Sequence, residues 1–232
     1  MTLKGGLDQP SDIAIHKQGD AYVLDGLNGR VVVFDKGGKL LFSFGQTGSG
    51  KGELNLPMAI DLEGDTLYVA DTGNSRIAVF DRRGNFIRNI DLEVEKGEAE
   101  PVGIVVNDGN ITWSDRKNHR VCRIKGGKND CRGGWGEDEG LFRYPFMMAA
   151  DSDGYIHVVD VLNGRVQYFN SRGIYFGQLS RFGLLPGELF RPNGIDFDSE
   201  GRLFVTDSYL GKVSIFDSER YMGSLSDKKG ET

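Results

Sequence analysis

The sequence predicts an all-β fold: a β-propeller of four-stranded antiparallel blades, with five blades encoded. Three observations lead there. Five of the six prolines fall in register, at Pro10, Pro57, Pro101, Pro145 and Pro192, spaced 44 to 47 residues apart. An aspartate keeps the same step at Asp25, Asp71, Asp115, Asp160 and Asp207. Glycine, at 34 of 232 residues, is about twice its ordinary usage, as a chain of many tight turns requires.

Each repeat holds four short β-prone runs between turn signals, and no 3.6-residue apolar period lasts long enough for a helix. In the second repeat the runs are 58–62, 66–70, 76–80 and 86–90. They are separated by Glu63-Gly64-Asp65, by Asp71 to Ser75, and by Arg82-Arg83-Gly84-Asn85. Four strands in about 45 residues is the period of a propeller blade, and one such sheet cannot bury both of its faces alone. The blades are expected at about 10–44, 57–90, 101–135, 145–179 and 192–225, within a single domain spanning 1–232. Residues 1–6 and 226–232 are too short for another blade. That leaves two arrangements, a ring of five blades or a six-bladed propeller lacking one.

After each aspartate comes a near-copy of one phrase. It reads Asp25-Gly-Leu-Asn28-Gly-Arg30, Asp71-Thr-Gly-Asn74-Ser-Arg76, Asp115-Arg-Lys-Asn118-His-Arg120 and Asp160-Val-Leu-Asn163-Gly-Arg165. The fifth copy is weaker: Asp207-Ser-Tyr-Leu210-Gly-Lys212. With the prolines, the glycines and the flanking apolar strands, this pattern closely resembles the NHL repeat over about residues 7–225. The linkers Gly48…Gly52-Glu53-Leu54…Pro57 and Gly187-Glu188-Leu189…Pro192 resemble it too. The resemblance implies a propeller, usually of six blades, that mediates protein interactions or serves as an extracellular sensor domain. Amidating lyases sharing this propeller carry zinc-binding histidines around the channel. His16, His119 and His157 lie in three different blades and match no such set.

In a four-stranded meander the turn between the second and third strands lies at the same end as the linker into the next blade; this end is called the top. The aspartates are expected to accept backbone N–H groups of their own turns. Asn28, Asn74, Asn118 and Asn163 are expected in left-handed geometry, and the cations that follow can pair with an aspartate. That places Arg30, Arg76, Arg120, Arg165 and Lys212 in a ring on the top face. Departures from the repeat are the stronger binding candidates. Blade 3 has Arg116, Lys117 and His119 in its turn, and blade 5 has Tyr209 and Leu210. Cys122 and Cys131 sum to 253, twice 126.5, so a hairpin centred on Gly126-Gly127 sets them opposite each other. A cross-strand disulfide is then feasible. Such a bridge would favour an extracytoplasmic, oxidising compartment.

A net charge of -6 and a pI near 5.2 argue against a dedicated nucleic-acid binder and place RNA last among the partners. The longest apolar run, Phe146 to Ala150, is too short to span a membrane. Asp151-Ser-Asp153-Gly154 lacks the later ligands of a calcium loop. Gly45 to Gly52 lacks the order of a phosphate loop, and no Gly-x-Ser-x-Gly elbow occurs. The sequence therefore favours a non-enzymatic scaffold without cofactor or metal, presenting its top face to a protein or peptide, with carbohydrate as a further ligand class. The alternatives are a metal-assisted hydrolase or lyase using Asp12, His16, Asp61, Asn193 and Asp196 in the channel, and single-stranded RNA binding by a basic top-face patch.

Overall fold

The computed structural model describes residues 3–92, 97–217 and 220–226. It contains five four-stranded antiparallel sheets, each with its strands in chain order, so every blade is a simple meander. Blade 1 comprises β1 (Pro10–Ile15), β2 (Ala21–Asp25), β3 (Arg30–Phe34) and β4 (Leu40–Phe44). Blade 2 comprises β5 (Ala59–Glu63), β6 (Thr66–Asp71), β7 (Arg76–Asp81) and β8 (Phe86–Asp91). Blade 3 comprises β9 (Pro101–Asn107), β10 (Asn110–Asp115), β11 (Arg120–Lys125) and β12 (Lys128–Gly133). Blade 4 comprises β13 (Pro145–Ala150), β14 (Ile156–Asp160), β15 (Arg165–Phe169) and β16 (Tyr175–Leu179). Blade 5 comprises β17 (Pro192–Phe197), β18 (Arg202–Asp207), β19 (Lys212–Asp217) and β20 (Arg220–Ser226).

The repeated prolines explain one irregularity of the sheets. Proline has no N–H to give a ladder. The register of the first strand against the second slips just after Pro10, Pro145 and Pro192. A second bulge falls between the third and fourth strands, at Val33/Phe34, Val79/Phe80, Tyr168/Phe169 and Ile215/Phe216.

The chain divides into two compact units, residues 1–113 with 124–129, and residues 114–123 with 130–232. The core of the first lies between blades 1 and 2. There Tyr22, Leu24, Val31 and Val33 meet Ile60, Leu67, Val69, Ala78 and Phe80. The opposite face of blade 1 (Ala21, Val23, Val32, Phe34) is covered in part by Leu3 and Leu7. The core of the second unit lies between blades 4 and 5, where Val159, Val166 and Leu179 meet Leu203, Val205 and Phe216. Alternation along each central strand sends successive side chains to opposite faces of its blade.

Polar staples join blades at their innermost strands. In blade 1, Asp12 accepts the N–H of Ile13 on its own strand at 2.8 Å and that of Ile60 on the next blade at 2.9 Å. In blade 2, Asp61 does the same with Leu62 at 2.7 Å and Val106 at 2.6 Å. Thr72 Oγ1 adds a bond to the Pro101 carbonyl at 2.6 Å.

Candidate functional site

The five repeated aspartates end the second strand of each blade and are at most 2% exposed. A buried carboxylate needs several donors. Asp71 has three: Arg76 Nε at 2.7 Å, Asn74 Nδ2 at 2.8 Å and the Asn55 N–H of the linker at 2.6 Å. Asp25 repeats the set with Arg30 at 2.7 Å, Asn28 at 3.0 Å and the Asp8 N–H at 2.7 Å. Asp160 repeats it with Arg165 at 2.9 Å, Asn163 at 2.8 Å and the Arg143 N–H at 2.8 Å. In blade 3, Arg120 Nε and Asn118 Nδ2 donate to Asp115 at 3.2 and 2.8 Å.

In blades 1, 2 and 4 the far edge of the guanidinium grips the linker that leads into the blade. Arg76 donates to the carbonyls of Ser49, Gly50 and Glu53, and Arg165 to those of Asp138 and Leu141. Arg30 donates to Gly5 and Gly6, and Lys212 Nζ to Glu188. The cation ring expected on the top face is thus a set of internal clamps. Arg76 and Arg165 are only 7% and 6% exposed, and Arg30, Arg120 and Lys212 are half-buried.

The asparagines do not take the left-handed conformation expected of them. It falls one residue later, at Gly29, Ser75, His119, Gly164 and Gly211, with φ between 52° and 59°. In blades 2 and 4 the three residues after the aspartate form a single 3₁₀ turn, and this next residue ends it. The asparagine stays inside the turn because its amide is held by the aspartate. In blade 5, where Leu210 replaces it, the N–H groups of Tyr209 and Leu210 reach Asp207 directly, at 3.1 and 3.0 Å.

Buried neighbours shift several of these groups. Burial, the largest influence on Asp25, pushes its carboxyl up. The bonds from Asn28, the Asp8 N–H and Arg30 together hold it below its usual value. At Asp160 burial prevails over the bonds from Asn163 and Arg165 and raises the carboxyl. Burial lowers the His119 imidazole despite Asp115 and Asp160.

The channel candidates have structural partners. Asp12 and Asp61 are the staples already described. His16 is buried, with Nε2 3.2 Å from Asp65 and Nδ1 accepting the Gln18 N–H. Asn193 lies 3.0 Å from Ser208 Oγ, and Asp196 accepts the Phe197 N–H. Among the described residues, no three His, Cys, Asp or Glu side chains are grouped so as to hold a metal ion. Cys122 and Cys131 form a disulfide. The Gly126-Gly127 turn between β11 and β12 has φ of 58° and 77°, the two left-handed residues a tight hairpin needs.

What gathers on the top of the second unit is an arc of exposed rings and half-buried guanidinium groups. It begins at the blade 3 turn, where Arg116 lies over the Tyr144 ring at 5.3 Å and His119 meets Trp135 edge-on at 4.7 Å. Arg143 covers the same Trp135 at 5.2 Å and pairs with Glu137. The Leu162 N–H of the blade 4 turn donates to the Arg143 carbonyl at 3.0 Å. On its other side that turn meets the next linker, for a side chain on Gly164 would collide with Phe182. Phe182, Phe190 and Tyr209 then continue as a ladder with centroids 4.7 and 4.2 Å apart. Trp135, Phe182 and Tyr209 are 57%, 54% and 63% exposed. Of the residues expected from the sequence, Arg116, His119 and Tyr209 join this arc. Lys117 sits in the same turn, and Leu210 is held to Asp207 through its backbone.

Trp135, Arg143, Tyr144, Phe182 and Phe190 escaped the sequence reading. A signal existed. Three linkers close with the same parallel bridge, at Thr47↔Leu54, Trp135↔Phe142 and Phe182↔Leu189. Aligning them puts Trp135 and Phe182 where blade 2 has a threonine.

A family described as "6-bladed beta-propeller" matches residues 6–120. Human NHL repeat-containing protein 3 is 34% identical over 79 residues, covering 32% of this chain and 23% of that protein. The rat E3 ubiquitin-protein ligase NHLRC1 is 25% identical over 229 residues, covering 88% of this chain and 54% of that protein. The chain thus spans about a quarter and about half of these two relatives. Among solved structures, inactive virginiamycin B lyase from Staphylococcus aureus superposes with a TM-score of 0.72 at 15% identity, covering 95% of this chain and 71% of that one. The five blades make this chain a β-propeller, and it is similar to NHL-repeat proteins.

Proposed function

We propose that the chain is a binding scaffold whose top-face arc in the second unit takes an extended segment of a protein or peptide partner. One observation carries this reading. The linker fold needs no ring at the bridge position, since Thr47 closes the same bridge in blade 2. Trp135 and Phe182 therefore expose large apolar area that the scaffold does not require, and such area marks contact surfaces. Arg116 and Arg143, stacked on rings of the arc, place positive charge beside the apolar surface, which suits a segment carrying carboxylates. The relatives support a binding role, one of them being named a ubiquitin ligase, an enzyme that acts on proteins. The disulfide supports an extracytoplasmic setting.

The test is selection of binding peptides from a displayed library on the immobilised chain. Selected peptides should lose about tenfold or more in affinity for the Trp135→Ala and Tyr209→Ala variants, with thermal stability unchanged. Peptides indifferent to both substitutions would remove the arc from consideration. A preference for glycans over peptides, or affinity for single-stranded RNA that falls steeply with salt, would replace the partner class.

A further inference from the structure

The outer strands of the blades are anchored by different means. In blades 1, 2 and 4 they carry apolar side chains into a core. Phe44 of β4 and Phe86 of β8 pack against the cluster between blades 1 and 2, and Leu179 of β16 belongs to the cluster between blades 4 and 5. The strand β12 reads Lys-Asn-Asp-Cys-Arg-Gly, and Cys131 supplies its one apolar side chain. Beside its ladder to β11, this strand is fastened by the bond between Cys131 and Cys122. Trp113 Nε1–H adds a bond to Asn129 at 3.3 Å. In β12 the covalent bond thus takes the place that a buried ring or leucine fills elsewhere.

The two cysteines are unequally placed. Cys122 lies on β11 and is fully buried, whereas Cys131 lies on the outermost strand and is half-exposed. A thiolate from solvent therefore meets Cys131 first. Its attack forms a new S–S bond to Cys131 Sγ and expels Cys122 as a thiolate, which takes up a proton. With a dithiol reductant, the second thiol gives up its proton and attacks the reductant's own sulfur in the mixed disulfide. Cys131 then leaves as a thiolate and is protonated in turn. Two electrons and two protons have passed to the cysteines, and the dithiol ends as a cyclic disulfide.

The strand so released leads straight into the aromatic arc, for Trp135 follows the end of β12 by two residues. In the register that pairs Cys122 with Cys131, three pairs further along, the Gly134 N–H donates to the His119 carbonyl at 2.8 Å. His119 in turn meets the Trp135 ring at 4.7 Å. The junction is closely packed, since a Cβ on Gly133 would stand 3.0 Å from the His119 carbonyl oxygen and from the Phe142 ring. The bond between the cysteines thus fixes the register that brings the blade 3 turn and the Trp135 linker together.

We propose that the Cys122–Cys131 bond is a thiol-exchange site through which a dithiol reductant releases β12 and withdraws the Trp135 end of the arc, leaving the Phe182, Phe190 and Tyr209 end in place. This regulation rests on the peptide-binding reading of the arc, and the experiment keeps the two apart. The oxidised chain is treated with dithiothreitol well below its melting temperature. Alkylation followed by mass spectrometry should find both cysteines reduced in the folded chain. Amide exchange of residues 130–134 should then quicken about tenfold or more, with β16 unchanged. The Trp135 indole resonance should move while the Tyr209 ring resonances stay. Peptides selected on the oxidised chain that depend on Trp135 should lose about tenfold in affinity on reduction and regain it on reoxidation. Peptides that depend on Tyr209 alone should keep theirs. The chain with Cys122→Ser and Cys131→Ser should bind both sets as the reduced chain does, with or without dithiothreitol. A bridge that yields only when the chain unfolds, exchange that quickens equally in β12 and β16, or Trp135-dependent binding that survives reduction would each overturn the proposal. Failure to select any peptide would overturn the binding reading instead, and the exchange and indole measurements would still decide whether β12 and Trp135 are released.

Discussion

At the scale of single residues, the repeated aspartate governs more than its own turn. One carboxylate ties a strand end, a tight turn and a linker together, so the arginine beside it is committed to structure even though it sits near a binding face. His119 shows the opposite case. It occupies the left-handed position that glycine fills in blades 1, 4 and 5, where a side chain costs roughly 1 kcal/mol. That conformational cost accompanies the ring contact to Trp135. His119→Gly should therefore leave the melting temperature the same or a few degrees higher, while weakening peptide capture by the arc. A marked loss of stability in calorimetry would show that the ring contact, and not the turn, dominates. The asparagine conformation was misread from sequence because asparagine tolerates left-handed geometry, whereas its amide here is captured by a buried carboxylate three residues back.

At the scale of strands and linkers, the reading from sequence did best where local chemistry decides. Strands bounded by Gly, Asn and Asp fall where the repeat put them, and the Gly126-Gly127 turn sets the cysteine pair. The 9-residue separation of Cys122 and Cys131 closes a short loop, worth about 2–3 kcal/mol by loss of unfolded-chain entropy. Reduction, or Cys122→Ser with Cys131→Ser, should lower the melting temperature by several degrees in thermal scans, and an unchanged midpoint would mean that the hairpin turn alone suffices. The aromatic arc was less legible. Its members come from two linkers and two turns, and only the shared bridge geometry shows that Trp135 and Phe182 are equivalent.

At the scale of the whole molecule, burial fixes the response to acid. His157 is buried against Tyr168 and Phe197, and burial lowers its imidazole below the ordinary 6.5 despite the bond to Asp151. The unfolded chain takes up that proton first, so stability is complete above pH 6.5 and declines as pH falls below it. His119, also lowered, adds to this stage. A second decline belongs to Asp25 and Asp198, whose carboxyls are held below 3.8. Their contribution is present above that value and is lost as pH drops through the depressed ones. Denaturant unfolding at a series of pH values should show both stages, and His157→Gln should flatten most of the first. The carboxylate that fastens each lead-in linker has a practical corollary. Because anchoring runs through backbone carbonyls and one N–H, the outward side chains of residues 134–144 and 180–191 can be rewritten without touching the attachment. The scaffold is thereby suited to transplanted recognition loops, each exchanged as a cassette while the sheets beneath stay as they are.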